Sequence, residues 1–321
     1  MDSNIDANEL FNNNQELLKV LLFDNTTKKN IIWATENYSN KGVEYMSSKP
    51  ILPNLLKTKT KLLKPRIEKC KAEQVRRSKD NAEVFTPCWI VNKQNNLADN
   101  AWFGKDNLFN TENDDGSWTS TEKVLFEGTG KTWKEYVSDV RLEMACGEAP
   151  YLVSRYDAVK GGKIEIKDRM GLLDRKLRVV NENAANDDEW LDWVKVAFKS
   201  VYGYEYQGDN LLIARENLLL TFIEYYEARF GKEPEQELLL EIAKIISWNL
   251  WQMDGLKLVV PLSCHKEENI QLSLFADMQE EPEICKGCKT GNPKEHNGKR
   301  CYIMDWTKNK KVKYVDLLWR N

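Results

Sequence analysis

The sequence predicts an α/β fold of the doubly wound type, and three observations carry that reading. Apolar periodicity alternates between strand and helix spacing across residues 136–260. The first strand of that region ends in an acidic residue and a small-residue turn, Glu143-Met144-Ala145-Cys146-Gly147. Cap signals then separate the following elements: Asp187 or Asp188, Asp209, Gly231 and Pro234.

Val140, Leu142 and Met144 flank the first strand end, and Tyr151-Leu152-Val153 is expected to leave the turn as a helix after Pro150. A strand, a tight turn and a helix start form a cradle for a nucleotide-like ligand, because small residues admit the ligand and free amides face it. Asp187 or Asp188 is expected to cap a helix carrying Trp190, Trp193, Val194 and Ala197 on one side. Val201 to Tyr206 reads as a buried strand. Leu211, Ala214, Leu218, Phe222 and Tyr225 repeat at helical spacing up to Gly231, with Asp209 as the expected cap. Pro234 opens a further helix with Leu238, Ile242, Ile245 and Ile246 on one face, and Trp248 to Met253 leads to Asp254 as a third strand end.

Outside this core the signals are sparser. The stretches 20–23 and 30–35 read as strands joined by an Asp-Asn-Thr-Thr turn, and 57–79 as partly helical, interrupted by Pro65. Residues 80–135 read as loops and short strands. Residues 160–186 exceed what a strand-helix-strand unit needs and are taken as an insertion facing substrate. Three regions follow: 1–76, with the basic segment; 77–262, the core; and 263–321, a C-terminal insertion and strand.

The 321 residues, 41% hydrophobic, suffice for an α/β core and a second module. The net charge of -3 hides a run from Lys57 to Lys79 with ten Lys or Arg against two Glu. Stretches 111–115 and 277–283 are acidic instead. No apolar run reaches membrane-spanning length, and the first residues lack the basic and apolar parts of a signal peptide. Seven cysteines, clustered late, favour thiols and metal over disulfides. The expected compartment is the cytoplasm, with no membrane partner.

Ordered together, these strand ends resemble S-adenosylmethionine-dependent DNA adenine-N6 methyltransferases, in particular the methylation (M) subunits of bacterial and phage restriction-modification systems. The motifs span roughly 77–260. Phe85-Thr86-Pro87 is similar to the family's aromatic-Thr-Pro segment, which packs over the methionine end of the cofactor. Glu143 to Leu152 is similar to its acidic-Pro-Ala-Cys-Gly turn: Ala145, Cys146, Gly147 and Leu152 agree, whereas Met144 and Ala149 replace Pro and Gly. Glu205 occupies the position whose carboxylate accepts the ribose hydroxyls, two acceptor oxygens suiting a vicinal diol. Asp254 occupies the position that accepts the adenine amino proton. The resemblance implies a Rossmann-like class I methyltransferase core with a mixed N-terminal region and a C-terminal zinc-binding insertion.

One departure is marked. The family's Asn/Asp-Pro-Pro-aromatic tetrad, which holds a flipped base, is absent. Asp316-Leu317-Leu318-Trp319 keeps an acid and an aromatic at matching spacing without the prolines. It is either a divergent catalytic pair, Asp316 and Trp319, or a C-terminal edge strand. Glu143 and Glu205 likewise have a plainer alternative, as helix caps or solvated strand-end carboxylates. The aromatics at 190–206 and 248–251 read as core, and Phe85 as either core or cofactor contact.

Cys285-Lys286-Gly287-Cys288, His296 and Cys301 form a second constellation. A CxxC knuckle presents two thiolates to one tetrahedral ion, and a later His and Cys complete four ligands, which suits a structural Zn2+ in a loop with few apolar residues. Cys264-His265 competes as a ligand source. In the basic run, Arg66, Lys69, Arg76 and Arg77 are candidates for DNA phosphates, the alternative being a solvated helix face. Two function classes follow: a DNA adenine methyltransferase working with a second methyltransferase, specificity or nuclease subunit, or a catalytically inactive methyltransferase-like protein that binds DNA or a partner.

Overall fold

The computed structural model describes residues 14–56, 62–84, 86–266 and 284–318, and Phe85 and Trp319 lie outside them. Helices and strands are mixed around a small parallel sheet.

The chain enters through α1 (Gln15–Leu22), capped by the Asn14 side chain, which accepts the Leu17 amide at 3.1 Å. Leu17, Leu18, Leu21 and Leu22 recur at helical spacing and are buried. That pattern overrides the strand expected over 20–23, leaving only β1 (Phe23–Asp24) paired with β2 (Lys29–Asn30). The expected Asp-Asn-Thr-Thr turn joins them. Asp24 fixes it by accepting the Thr26 and Thr27 amides at 3.3 and 2.8 Å.

The basic segment contributes α2 (Lys71–Asn81), which ends at Ala82 in the left-handed region. Next comes α3 (Cys88–Phe103), where loops were expected. Its buried face carries Asn92, Asn95, Asn96 and Asp99 at helical spacing, so a search for apolar periodicity passes over it. Asn95 donates to the carbonyls of Tyr151 and Met170 at 3.2 and 2.9 Å, and the other three side chains meet Arg175. Its guanidinium donates to Asp99 at 2.6 Å, to Asn92 at 3.0 Å and to Asn96 at 2.6 Å. A short hairpin follows, β3 (Asn110–Glu112) with β4 (Trp118–Ser120), and then α4 (Trp133–Ser138), whose Thr132–Glu135 capping box satisfies two free amides.

The core then runs β5 (Arg141–Met144), α5 (Leu172–Asn183), α6 (Asp187–Lys199), β6 (Val201–Glu205), α7 (Gly208–Phe230), α8 (Gln236–Asn249) and β7 (Leu250–Gln252). The three strands are parallel in the order β5-β6-β7, with Glu143 beside Gly203 and Tyr204 beside Trp251. The expected strand-helix alternation is therefore present, with two corrections. Residues 172–183 are no substrate-facing insertion: Leu173, Leu177, Val179 and Val180 of α5 are fully buried among the helices. Second, α8 persists to Asn249, so the third strand is shorter than expected.

The caps are also offset from the expected residues. Asn186, not Asp187 or Asp188, caps α6 by accepting the Glu189 amide at 2.9 Å. Gly231 closes α7 as expected, at φ +66°. Every residue of β6 is buried. Val201 and Leu250 face the helical cluster, while Tyr202, Tyr204 and Trp251 face a second cluster. That second cluster is built on the hairpin of β8 (Tyr302–Asp305) and β9 (Lys310–Lys313), whose following residue Tyr314 lies 5.0 Å from the Trp251 ring. Among the described residues, helices thus cover one face of the sheet and the C-terminal hairpin the other. The doubly wound arrangement expected from the sequence, which has helices on both faces, is therefore not formed. No described helix is long and apolar enough to cross a membrane.

Candidate functional site

The carboxyl ends of β5 and β6 are joined by two buried carboxyls. Glu205, the last residue of β6, accepts the Gly147 amide on Oε2 at 2.8 Å and the Gln207 amide on Oε1 at 3.0 Å. Glu143, in β5, accepts the amides of Tyr151 and Leu152 at 3.3 and 3.1 Å. The helix expected after the turn does not form, because Glu143 holds these two amides in a non-helical turn. The helix-start cradle is replaced by a carboxylate-braced loop.

That loop has an unusual backbone. Ala145, Gly147 and Ala149 all have positive φ, at 49°, 54° and 63°. Alanine at Ala149 thus adopts the conformation that glycine favours, at a cost of roughly 1–2 kcal/mol. Cys146 is buried, and its amide extends the sheet by donating to Tyr204 O at 2.8 Å. Gly203 makes room for it: a Cβ there would lie 3.3 Å from the Cys146 sulfur.

Burial dominates the electrostatics. Desolvation pushes Glu143 up to about 8, against the two amides that favour its anion and together with repulsion from Glu205. Desolvation likewise pushes Glu205 up to about 7, opposed by the Gln207 and Gly147 amides and assisted by Asp209. Burial also pushes the Cys146 thiol up, next to both carboxyls. This end of the sheet therefore holds protons near neutral pH.

Asp254 lies just past β7 and is half-buried. Its Oδ1 accepts the Leu256 and Lys257 amides, both at 3.0 Å, so it braces the turn that returns to Val259. The strand ends meet through the backbone: the Met253 amide donates to Glu205 O at 3.0 Å. Pro87 is the residue before α3 and Thr86 is half-buried beside it; Phe85, expected against the cofactor, lies outside the described residues.

Behind Glu205 is a network that the sequence reading missed. Arg77 is fully buried and donates to Asp209 Oδ2 and to Glu83 Oε2, each at 2.7 Å. Tyr38 donates to Asp209 at 3.0 Å, and Asn210 to Glu83 at 3.2 Å. Asp209 is thus an ion-pair partner within the first turn of α7, whereas the expectation made it the cap. Gly208 is required there, since a Cβ would meet Ile32 O at 2.0 Å. Lys69 is buried as well, 3.8 Å from Glu83. Lys69 and Arg77 therefore face inward and do not reach DNA phosphates. Arg76 is exposed, and Arg66 is half-buried with its guanidinium on Ser78 and Glu83 O. Nothing in the local spacing marks Arg77: it is the one buried residue of α2, set in a run of exposed and half-buried positions.

The second constellation closes in space with one substitution. Cys264, Cys285, Cys288 and His296 bring their donor atoms within 4.8 Å of one another, a set that can hold a metal ion. The sulfurs of Cys264, Cys285 and Cys288 lie 3.6, 3.7 and 3.7 Å from His296 Nδ1. Metal–sulfur and metal–nitrogen bonds of about 2.3 and 2.0 Å at tetrahedral angles require an S···N edge of about 3.5 Å. The observed edges match.

Local structure explains the arrangement. The CxxC pair opens α9 (Lys286–Thr290), and Gly287 is needed because a Cβ would lie 2.5 Å from the His296 amide nitrogen. Arg300 clamps the His296 loop by donating to the carbonyls of Pro293, Lys294 and His296. The Asn297 amide donates to Cys285 Sγ at 3.3 Å. Burial works against ionisation of Cys285, yet the Asn297 and Cys288 amides and His296 outweigh it and lower the thiol to about 6. Cys264 is pushed up to about 11 by burial and the neighbouring thiols.

Cys301, expected as the fourth ligand, sits elsewhere. It is buried in the cluster under the C-terminal hairpin, with its sulfur 3.5 Å from Gln252 O. Of the competing pair, Cys264 joins the metal cluster, while His265 is exposed and its amide donates to Asn297 Oδ1 at 3.1 Å.

Asp316 occupies an exposed helical turn, Val315–Leu318, just after the hairpin, so the expected edge strand is not formed there. Its proposed companion Trp319 falls outside the described residues. Against known proteins, no family model, no curated protein and no solved structure matches this chain.

Proposed function

We propose that the chain is an S-adenosylmethionine-dependent DNA adenine-N6 methyltransferase, or the cofactor-binding subunit of one, with a structural zinc at Cys264, Cys285, Cys288 and His296. The observation that carries this reading is the hydrogen bond from the Gly147 amide to Glu205 across the ends of two adjacent parallel strands. Ligands of open parallel α/β sheets lie at the carboxyl ends of the strands, where acidic residues and tight turns converge.

The residues fit the cofactor in kind. Each Glu205 oxygen holds one amide and keeps a lone pair for a ribose hydroxyl. Asp254 Oδ2 takes no amide in its turn and serves the adenine amino group. When bound, the cofactor supplies an activated methyl group. The contribution of this chain is then to orient donor and acceptor and exclude water. Glu205 is a full two-oxygen acceptor only when ionised, so binding strengthens as pH rises through about 7.

A second reading has its own support. Asp316 stands exposed in a helical turn, without prolines to fix a base-holding backbone. That favours a catalytically silent subunit, or one that obtains its base-holding element from a partner. Incubation of the purified chain with labelled cofactor and adenine-containing DNA separates the two. Labelled DNA supports an autonomous enzyme; cofactor binding without transfer supports the subunit reading; neither outcome removes both.

The metal set carries three thiols and one imidazole with all four positions supplied by protein, the composition of a structural zinc site. The ion would tie the 261–266 turn to the 285–297 loop.

A further inference from the structure

The turn that carries Asp254 and the loop that carries His296 are held together by one side chain. Arg300 Nη1 donates to Lys257 O on the turn at 3.2 Å and to Pro293 O on the loop at 2.8 Å. Its Nη2 donates to Lys294 O and His296 O at 2.9 and 3.2 Å. The backbones also meet: Val259 bridges Arg300, and the Val260 amide donates to Lys299 O at 2.8 Å. Gly298 is wedged between turn and cluster, since a Cβ there would lie 3.0 Å from the Val259 side chain and 3.1 Å from Cys264 Sγ. The turn needs such support. Leu258 and Leu262 both have left-handed backbone, at φ 56° and 58°, which leucine rarely adopts.

We infer that the metal site sets the geometry of the third strand end, with Arg300 as the positioning residue that carries metal occupancy to the Asp254 turn. A bound ion fixes Cys264, Cys285, Cys288 and His296 to one another, so the three loop carbonyls form a rigid seat for the guanidinium, which in turn holds Lys257 O. Without the ion, the two segments rely on hydrogen bonds that water can replace, such as those between His265 and Asn297. The left-handed leucines can then relax. Asp254 is oriented by the Leu256 and Lys257 amides of the same turn, so its carboxylate follows. The inference rests on the metal reading; it bears on the cofactor only through the role proposed for Asp254.

Hydrogen–deuterium exchange of the full chain, zinc-loaded and after chelation, tests the coupling, with metal content measured in both states. Chelation should speed exchange at least tenfold in peptides covering 254–260, while peptides covering β5 and β6 keep their rates. Arg300→Met leaves all four ligands in place; it should retain zinc and show the fast rate at 254–260 with or without the ion. Should that variant fail to fold, the chelation of the wild type decides. Unchanged rates at 254–260 after chelation overturn the inference, as does loss of protection across β5 and β6 together with the turn. Zinc-dependent protection that survives in Arg300→Met overturns the role of Arg300. A wild type that holds no zinc removes the metal reading and this inference together, whereas bound zinc without these effects removes the inference alone. No methyl donor enters the measurement, so its failure is separate from failure of the methyltransferase reading.

Discussion

Glu205 and Gly147 form one unit: the carboxylate at the end of β6 accepts the amide of the turn that follows β5, at 2.8 Å. The tight turn is thereby held by the residue assigned to the ribose, so the geometry of the turn and the acceptor capacity of the carboxylate change together.

The two strand-end carboxyls give stability an inverted pH dependence. Their folded values, about 8 for Glu143 and about 7 for Glu205, lie above the unfolded value of 4.5. Between those limits the folded chain binds more protons than the unfolded chain, so their contribution falls as pH rises and levels off above about 8. For Glu205 the shift amounts to roughly 3 kcal/mol. Lys176, lowered to about 7 by burial, acts in the opposite sense, so the comparison belongs between variants. Glu143→Gln and Glu205→Gln should each lose less Tm than wild type between pH 5.5 and 8.5. Parallel curves for all three proteins would sink this assignment.

Metal content distinguishes Cys264 from Cys301. Cys264→Ser should reduce bound zinc well below one ion per chain, whereas Cys301→Ser should retain it, since that sulfur lies against Gln252 O. Elemental analysis after dialysis decides it, and full zinc in Cys264→Ser with loss in Cys301→Ser would restore the order expected from sequence.

Neighbouring arginines of α2 should behave differently. Arg77→Met leaves Glu83 and Asp209 buried without their cation and should cost about 3–5 kcal/mol. Arg76→Ala, at an exposed position, should stay within about 0.5 kcal/mol. Urea unfolding followed by circular dichroism measures both; equal costs would contradict the inward placement of Arg77.

Much of the core was legible because apolar spacing decides it. The buried faces of α6, α7 and α8 and the wholly buried strand β6 follow from Trp190, Val194, Leu211, Leu218, Ile242 and the Val201 run. Legibility failed where polar residues do the packing. The face of α3 is written in asparagine and aspartate, and its partner Arg175 lies about 80 residues away, so no local pattern announces it. Arg77 disappeared into a basic run for the same reason. Among the site residues, the CxxC pair and His296 were readable from spacing, but the choice between Cys264 and Cys301 depends on how the 261–266 turn folds back, through Lys299 onto Ser263 Oγ at 2.9 Å. The loop after Gly147 was misread as a helix because nothing in the order of residues reveals that Glu143 will bind the amides of Tyr151 and Leu152.

Calorimetric titration of the zinc-loaded chain with S-adenosylmethionine at pH 8, beside Glu205→Ala, tests the central claim most directly. The account expects saturable binding to the wild type and at least a tenfold weaker affinity in the variant. No binding by the folded wild type, or the same affinity in Glu205→Ala, would contradict it.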